Sequence, residues 1–147
     1  MKKFVFSLES VLRYKRQLLG VLKNEMARLE ADLHEIENRI AKAENEFDGI
    51  NGRLHSALRG GLTAQDFASY KAYLHYLNKN IEKLNTEKSA VLLKISSKKQ
   101  EIISMNSDIS GLERLRDKHW DEYSKQSRKE QELFIEEFIG RAKCAAE

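Results

Sequence analysis

Proline is absent from this sequence of 147 residues, and only seven glycines occur in it. Proline and glycine interrupt helices and mark turns, so their scarcity argues against a turn-rich β-sandwich or β-barrel and favours long helices. Cys144 is the only cysteine. A disulfide within the chain is therefore impossible, and the cysteine usage gives no indication of an oxidising compartment.

Long apolar runs are also missing. No window approaches the length of a transmembrane helix, and Glu9 and Arg13 interrupt the region where a signal peptide would need its apolar core. We therefore expect a protein that is made and kept in the cytoplasm without inserting into a membrane. The 26 basic and 23 acidic residues leave a net charge of +3, and this near-balance does not by itself indicate a nucleic-acid partner.

Residues with the spacing of a catalytic, cofactor or metal site are scarce. The histidines do not form a metal-spaced pair with one another or with the cysteine; they are His34, His55, His75 and His119. Gly60 and Gly61 lack the following lysine and the preceding strand of a phosphate-binding loop. We therefore expect no enzyme activity, no cofactor and no metal.

What the sequence contains is an apolar repeat at alternating intervals of three and four residues. A first stripe runs from Leu8 to Ala57, and Lys15 is the only one of its fifteen positions that is not apolar. A second stripe runs from Phe67 to Leu112, where only Lys88 and Lys98 of fourteen positions break the pattern. A 3.5-residue period held over this length is typical of a left-handed coiled coil.

Between the two stripes the sequence predicts a reversal of the chain. Paired glycines follow Arg59, and they favour left-handed turn geometry. Thr63 has the character of a helix N-cap, with Asp66 three residues later in a capping-box arrangement. The predicted fold is all-α: two long helices over about 7–58 and 64–140 form one antiparallel coiled-coil hairpin spanning 1–147. The turn covers about 59–63, and the second helix is the longer.

Charge supports this pairing when the chain is folded so that facing positions sum to about 123. Residues 24–50 carry 8 acidic and 3 basic side chains, net −5, and the facing residues 73–99 carry 2 acidic and 6 basic side chains, net +4. Opposite charges on flanking positions set the orientation of paired helices. The same register places the lysines of the stripes near three carboxylates, as the pairs Lys15–Asp108, Lys88–Glu35 and Lys98–Glu25.

Two surfaces remain outside the predicted seam. The second helix outruns the first by about 25 residues, so residues 124–147, here called the tail, carry Phe134 and Phe138 without an internal partner. Near the turn, Tyr73 and Tyr76 lie off the apolar stripe. Exposed aromatic side chains mark docking surfaces more often than chance, so we expect a protein partner at each end.

Both ends of the chain resemble the flagellar FliJ family. The opening reads Phe4-x-Phe6-x-Leu8-Glu9-x-Val11-Leu12-x-x-Lys15, and the closing segments are Arg128-Lys129-Glu130-Gln131 and Glu136-Glu137-Phe138. The turn region from Gly61 to Leu77 is also similar. The ending departs from the family's usual E-Q-K and D-E motif, since Glu132 replaces the lysine and Glu136 the aspartate.

The resemblance implies a two-helix stalk of the flagellar type III export apparatus, associated peripherally with the inner face of the cell membrane at the flagellar base. It would be a monomer that binds and stimulates the export ATPase FliI, touches the export gate FlhA and helps to recycle export chaperones. By position, the ATPase contact would use Phe4, Phe6, Leu8, Glu130, Gln131, Glu136, Glu137 and Phe138. The gate contact would use Phe47, Ile50, Tyr73 and Leu77.

Two alternatives from other classes stay open at this point. One is a nucleic-acid-associated coiled coil, which salt-dependent DNA binding would favour. The other is an oligomeric cytoplasmic scaffold, which concentration-dependent self-association would favour.

Overall fold

The computed structural model describes residues 2–146, and these form two helices and no strand. Helix α1 spans Glu9–Arg59, and helix α2 spans Ala64–Ala146. They pack against each other in antiparallel orientation, so the all-α hairpin with a longer second helix is confirmed. The predicted helix bounds differ slightly from the structure, because α1 begins two residues later than expected and α2 continues six residues beyond 140.

The reversal between the helices has the expected turn chemistry. Gly61 adopts φ 86°, a left-handed conformation that favours glycine. The hydroxyl of Thr63 accepts a hydrogen bond of 3.2 Å from the backbone N–H of Asp66, and its carbonyl accepts one of 3.0 Å from Phe67. Thr63 therefore caps α2, since it satisfies N–H groups that have no partner within the helix.

Contacts divide the hairpin into two units. One unit comprises residues 21–102, with the turn at its end, and its core contains Ile36, Ile40, Ala43 and Leu84. The other unit combines the residues up to Gly20 with those from Ile103 onward, and its buried residues are Phe6, Leu12 and Ile109.

Burial follows the predicted stripes closely. All fifteen positions of the first stripe are buried or half-buried, and so are all positions of the second stripe except one. The exception is Phe67, which is 39% exposed in the first turn of α2, with the ammonium of Lys71 5.6 Å from its ring centroid. A seam this narrow buries residues of both helices only along their contact line, which explains why most stripe residues are half-buried.

In the unit that contains the turn, ion pairs join the two helices across the seam. Lys98 Nζ lies 2.6 Å from Glu25 Oε2, as the register predicted. The prediction for Lys88 is wrong, because its ammonium lies 3.8 Å from Glu37 rather than beside Glu35. Glu35 instead pairs at 2.6 Å with Arg39, one turn along its own helix. Because the carboxylate of Glu35 is bound to Arg39, the long side chain of Lys88 pairs with Glu37 instead.

The unit that contains both ends of the chain has its own ion pairs. Lys15 Nζ lies 2.9 Å from Asp108 Oδ2, which confirms the predicted pair. Arg16 lies 2.9 Å from Glu113, and Arg116 lies 3.4 Å from Glu9. Exposed pairs of this kind contribute little each to stability, but together they favour one alignment of the two helices.

Candidate functional site

The N-terminal segment before α1 packs onto α2 through aromatic contacts. The ring centroid of Phe4 lies 5.0 Å from that of Trp120 in an edge-to-face arrangement and 5.4 Å from that of Tyr123. The hydroxyl of Tyr123 donates a 2.6 Å hydrogen bond to the carbonyl of Lys2. Residues 2–6 are therefore held against α2 although they lie outside regular secondary structure.

This packing limits what the segment can offer a partner. Phe6 is only 5% exposed and contacts the ring of His119 at a centroid distance of 5.6 Å, while Phe4 and Leu8 are half-buried. Of the three N-terminal residues assigned to the ATPase contact, the structure thus turns Phe6 inward and leaves part of the other two accessible.

The tail exposes several large apolar side chains. Phe134 is 70% exposed and Phe138 is 68% exposed, and the other exposed apolar residues of the tail are Leu133, Ile135 and Ile139. Positions 134, 135, 138 and 139 recur at intervals of three and four, so one face of the helix is apolar. The assigned contact residues Glu130, Gln131, Glu136 and Glu137 are also exposed on this segment.

The sequence interpretation assigned Phe138 but omitted Ile135 and Ile139 from the contact. Their helical spacing with Phe134 and Phe138 was the available signal. The same stretch carries charge of one sign, since residues 130–139 contain four glutamates and no basic residue. Residues 130–139 of the tail therefore combine an apolar face with acidic flanks.

Near the turn, the four residues assigned to the gate contact differ in accessibility. Leu77 is 2% exposed and belongs to the core, and Phe47 and Ile50 are half-buried. Tyr73 is exposed, and its ring stacks on that of Tyr76 with centroids 6.1 Å apart and an interplanar angle of 22°. Tyr73 is therefore the assigned residue that a partner can reach most directly.

A carboxylate on α1 orients Tyr73. The phenol of Tyr73 donates a hydrogen bond to Glu46 across the two helices. This hydrogen bond raises the pKa of Tyr73 above its ordinary value, with smaller contributions from desolvation and from the negative charge of Glu46. The hydroxyl of Tyr73 consequently links its ring to α1 beside the turn.

A groove of about 530 Å³ lies next to this pair. Its lining residues come from both helices and the turn, and they are Ile50, Leu62, Asp66, Ser69, Tyr70 and Tyr73. Of these, sequence reasoning placed Ile50 and Tyr73 in a partner contact and gave Asp66 only a capping role. The contribution of Leu62 depends on the conformation of the turn, which no periodic pattern encodes.

No group of three or more His, Cys, Asp and Glu side chains in the described part of the chain could hold a metal ion. Among residues 2–146, no helix is long and apolar enough to span a membrane.

The family of the chain follows from its similarity to a known protein family. The family described as flagellar FliJ protein matches residues 4–142, which is nearly the whole chain. The chain belongs to the FliJ family. No curated protein and no solved structure matches it.

Membership of the FliJ family makes this a coiled-coil protein associated with flagellar export, in a family with a structural, export-related role and no known enzyme activity. Large apolar side chains of this FliJ-family chain are exposed on the tail and near the turn. Both places include aromatic side chains that the hairpin does not cover.

Proposed function

We propose that this chain is a stalk of the flagellar export apparatus that binds and stimulates the export ATPase FliI through its tail. The observation that carries the proposal is the exposure of Phe134 and Phe138 on an amphipathic helical segment. An amphipathic helix buries its apolar face most readily in a groove of a partner protein. Since the four glutamates of residues 130–139 flank that face, the ATPase surface that receives it should be basic at its rim.

Within this contact the assigned residues have different roles. Glu130, Gln131, Glu136 and Glu137 meet the ATPase directly together with Phe138. Phe6 is buried, so it supports the contact by holding the N-terminal segment on α2. Phe4 and Leu8 contribute the parts of their side chains that remain accessible.

The turn region is proposed to bind the export gate FlhA. Tyr73 touches the gate directly, because it is exposed and held in place by Glu46. Leu77 acts through packing from within the core, and Phe47 and Ile50 contribute from the half-buried edge of the seam. These contacts and binding of export chaperones would hold the protein at the inner face of the membrane.

Titration calorimetry of the export ATPase with this protein tests the tail contact. The variant Phe134→Ala with Phe138→Ala should bind at least about tenfold more weakly, because buried aromatic anchors at interfaces contribute more than about 1 kcal/mol each. Leu93→Ala is a matched control, since Leu93 is equally exposed but lies far from the tail in sequence. Equal affinity of the double variant and the wild type would refute a tail contact.

A further inference from the structure

We propose that the groove beside the turn binds a basic segment of its partner, with one apolar side chain in the groove and arginine side chains on Asp66, Glu46 and the tyrosine rings. The groove is the one lined by Ile50, Leu62, Asp66, Ser69, Tyr70 and Tyr73. The inference rests on the proposed gate contact at the turn and names the chemistry that this partner must have.

The apolar part of the groove indicates the first property of the partner, which is an apolar side chain. Ile50 from α1, Leu62 from the turn and Tyr70 from α2 are each half-buried and converge on the groove, so each keeps apolar surface in contact with water. A leucine-sized side chain placed there removes apolar surface from water on both sides of the contact, and this burial favours binding.

The charge of the groove indicates the second property of the partner, which is a positive charge. Asp66 is the only charged residue of its lining, and Glu46 is joined to the lining through the phenol of Tyr73. Neither carboxylate forms an ion pair with a basic side chain of the described residues. Lys71, which is close to Asp66 in sequence, lies over the ring of Phe67. An acidic segment would be repelled here, whereas a basic one would be attracted.

The two stacked tyrosines favour arginine over lysine. Tyr73 and Tyr76 are both exposed, and their rings stack on each other beside the Glu46 carboxylate, so part of each ring remains accessible to a partner. The guanidinium of arginine is planar, so it stacks on aromatic faces and pairs with carboxylates through two parallel hydrogen bonds. The compact ammonium of lysine forms both interactions less well. The arrangement therefore suits an arginine side chain that lies on a ring and points at Glu46.

The direct test uses the full chain and a blocked pentapeptide of alternating arginine and leucine, with binding followed by NMR of the tyrosine ring signals. Saturable shifts of the Tyr73 and Tyr76 signals are expected. The groove variant Glu46→Gln with Asp66→Asn should bind this peptide at least fivefold more weakly. Its control is Glu44→Gln with Asp48→Asn, which removes the same charge from two residues of α1 close to Glu46. Neither residue lines the groove or accepts the hydrogen bond of Tyr73, so this control should bind the peptide like the wild type.

Two further variants separate the ring from its hydroxyl. Tyr73→Phe keeps the aromatic face and frees Glu46, so it should retain binding of the arginine–leucine peptide, while Tyr73→Ala should lose most of it. The inference is overturned if the groove variant binds the peptide as tightly as the wild type. It is equally overturned if a glutamate–leucine peptide of the same length binds as well as the arginine–leucine peptide.

The same variants against the cytoplasmic part of the export gate distinguish this inference from the proposed function. Weakened gate binding by the groove variant, with normal binding by the control, supports both. Gate binding that is unaffected by the groove variant overturns the inference and leaves the gate contact in place. If the gate does not bind the wild type although the arginine–leucine peptide does, the gate contact fails while the chemistry of the groove stands.

Discussion

Lys98 on α2 occupies a position where the seam otherwise holds an apolar residue, and its ammonium lies 2.6 Å from the carboxylate of Glu25 on α1. The same ammonium also lies 3.1 Å from Glu101, one turn along α2. A lysine at a seam position can be satisfied only where a carboxylate faces it, so the pair favours one alignment of the two helices.

This pair predicts a specific pH dependence of stability. Hydrogen bonds to Glu25 and then to Glu101 raise the pKa of Lys98. A folded-state pKa above the unfolded value of about 10.4 means that the stabilisation is fully present below that pH and is lost as the pH rises through the folded value. Urea unfolding should therefore show the stability difference between wild type and Lys98→Gln shrinking above about pH 10.4. Lys99→Gln, which changes an exposed lysine without a partner among the described residues, should show no such change.

Two leucines of the last turns of α1 provide a packing test. Leu54 is 2% exposed and Leu58 is 48% exposed. Leu54→Ala should lower the free energy of unfolding by about 2–5 kcal/mol, as buried leucines do when truncated. Leu58→Ala should change it by less than about 0.5 kcal/mol. Urea titrations followed by circular dichroism measure both, and similar losses for the two variants would contradict the assigned seam.

The two glycines of the turn should respond differently to substitution by alanine. Gly61→Ala places a Cβ on a residue at φ 86°, which should cost about 1 kcal/mol of stability. Gly60→Ala meets only the carbonyl of Ala57 at an ordinary 3.8 Å and should be neutral or slightly stabilising. Thermal unfolding of the pair checks this, and an equal loss at both positions would be inconsistent with the turn geometry.

The contact of the N-terminal segment with α2 can be followed through Trp120, the only tryptophan of the chain. Phe4→Ala removes the ring that packs on the indole, so the fluorescence of Trp120 should shift to longer wavelength. Stability should fall by on the order of 1–2 kcal/mol, from lost apolar burial and the aromatic pair. Val5→Ala changes a neighbouring side chain that is almost fully exposed and should leave both quantities unchanged. An unaltered spectrum in Phe4→Ala would show that the segment does not rest on α2 in solution.

The seam was predictable from the sequence because it depends on local spacing alone. Leu12 and Leu54 fall on the three-and-four alternation, and both are buried. The partners of Lys15 and Lys98 followed from the same register, since charge patterning aligns the helices to within about one turn. The partner of Lys88 did not, because Glu35 and Glu37 are both near its reach and the competition of Arg39 for Glu35 decides between them.

The surfaces were less predictable for a physical reason. Residues 2–7 follow no period, so nothing in the pattern indicated that Phe4 packs on Trp120. The hydrogen bond between Tyr73 and Glu46 joins residues 27 positions apart whose side chains lie beside the seam rather than in it. The sequence pattern explained Asp66 fully as part of a helix cap. It therefore gave no indication that Asp66 also lines a groove.

The rate of ATP hydrolysis by the export ATPase is the most direct measurement of the central claim. The comparison is between the full chain and a chain truncated after Tyr123, which retains every fully buried apolar residue of the described core. The account predicts that the truncated chain keeps its helical circular dichroism spectrum and no longer raises the hydrolysis rate above that of the ATPase alone. Full stimulation by the truncated chain would contradict the account and place the contact on the segment from Phe4 to Leu12.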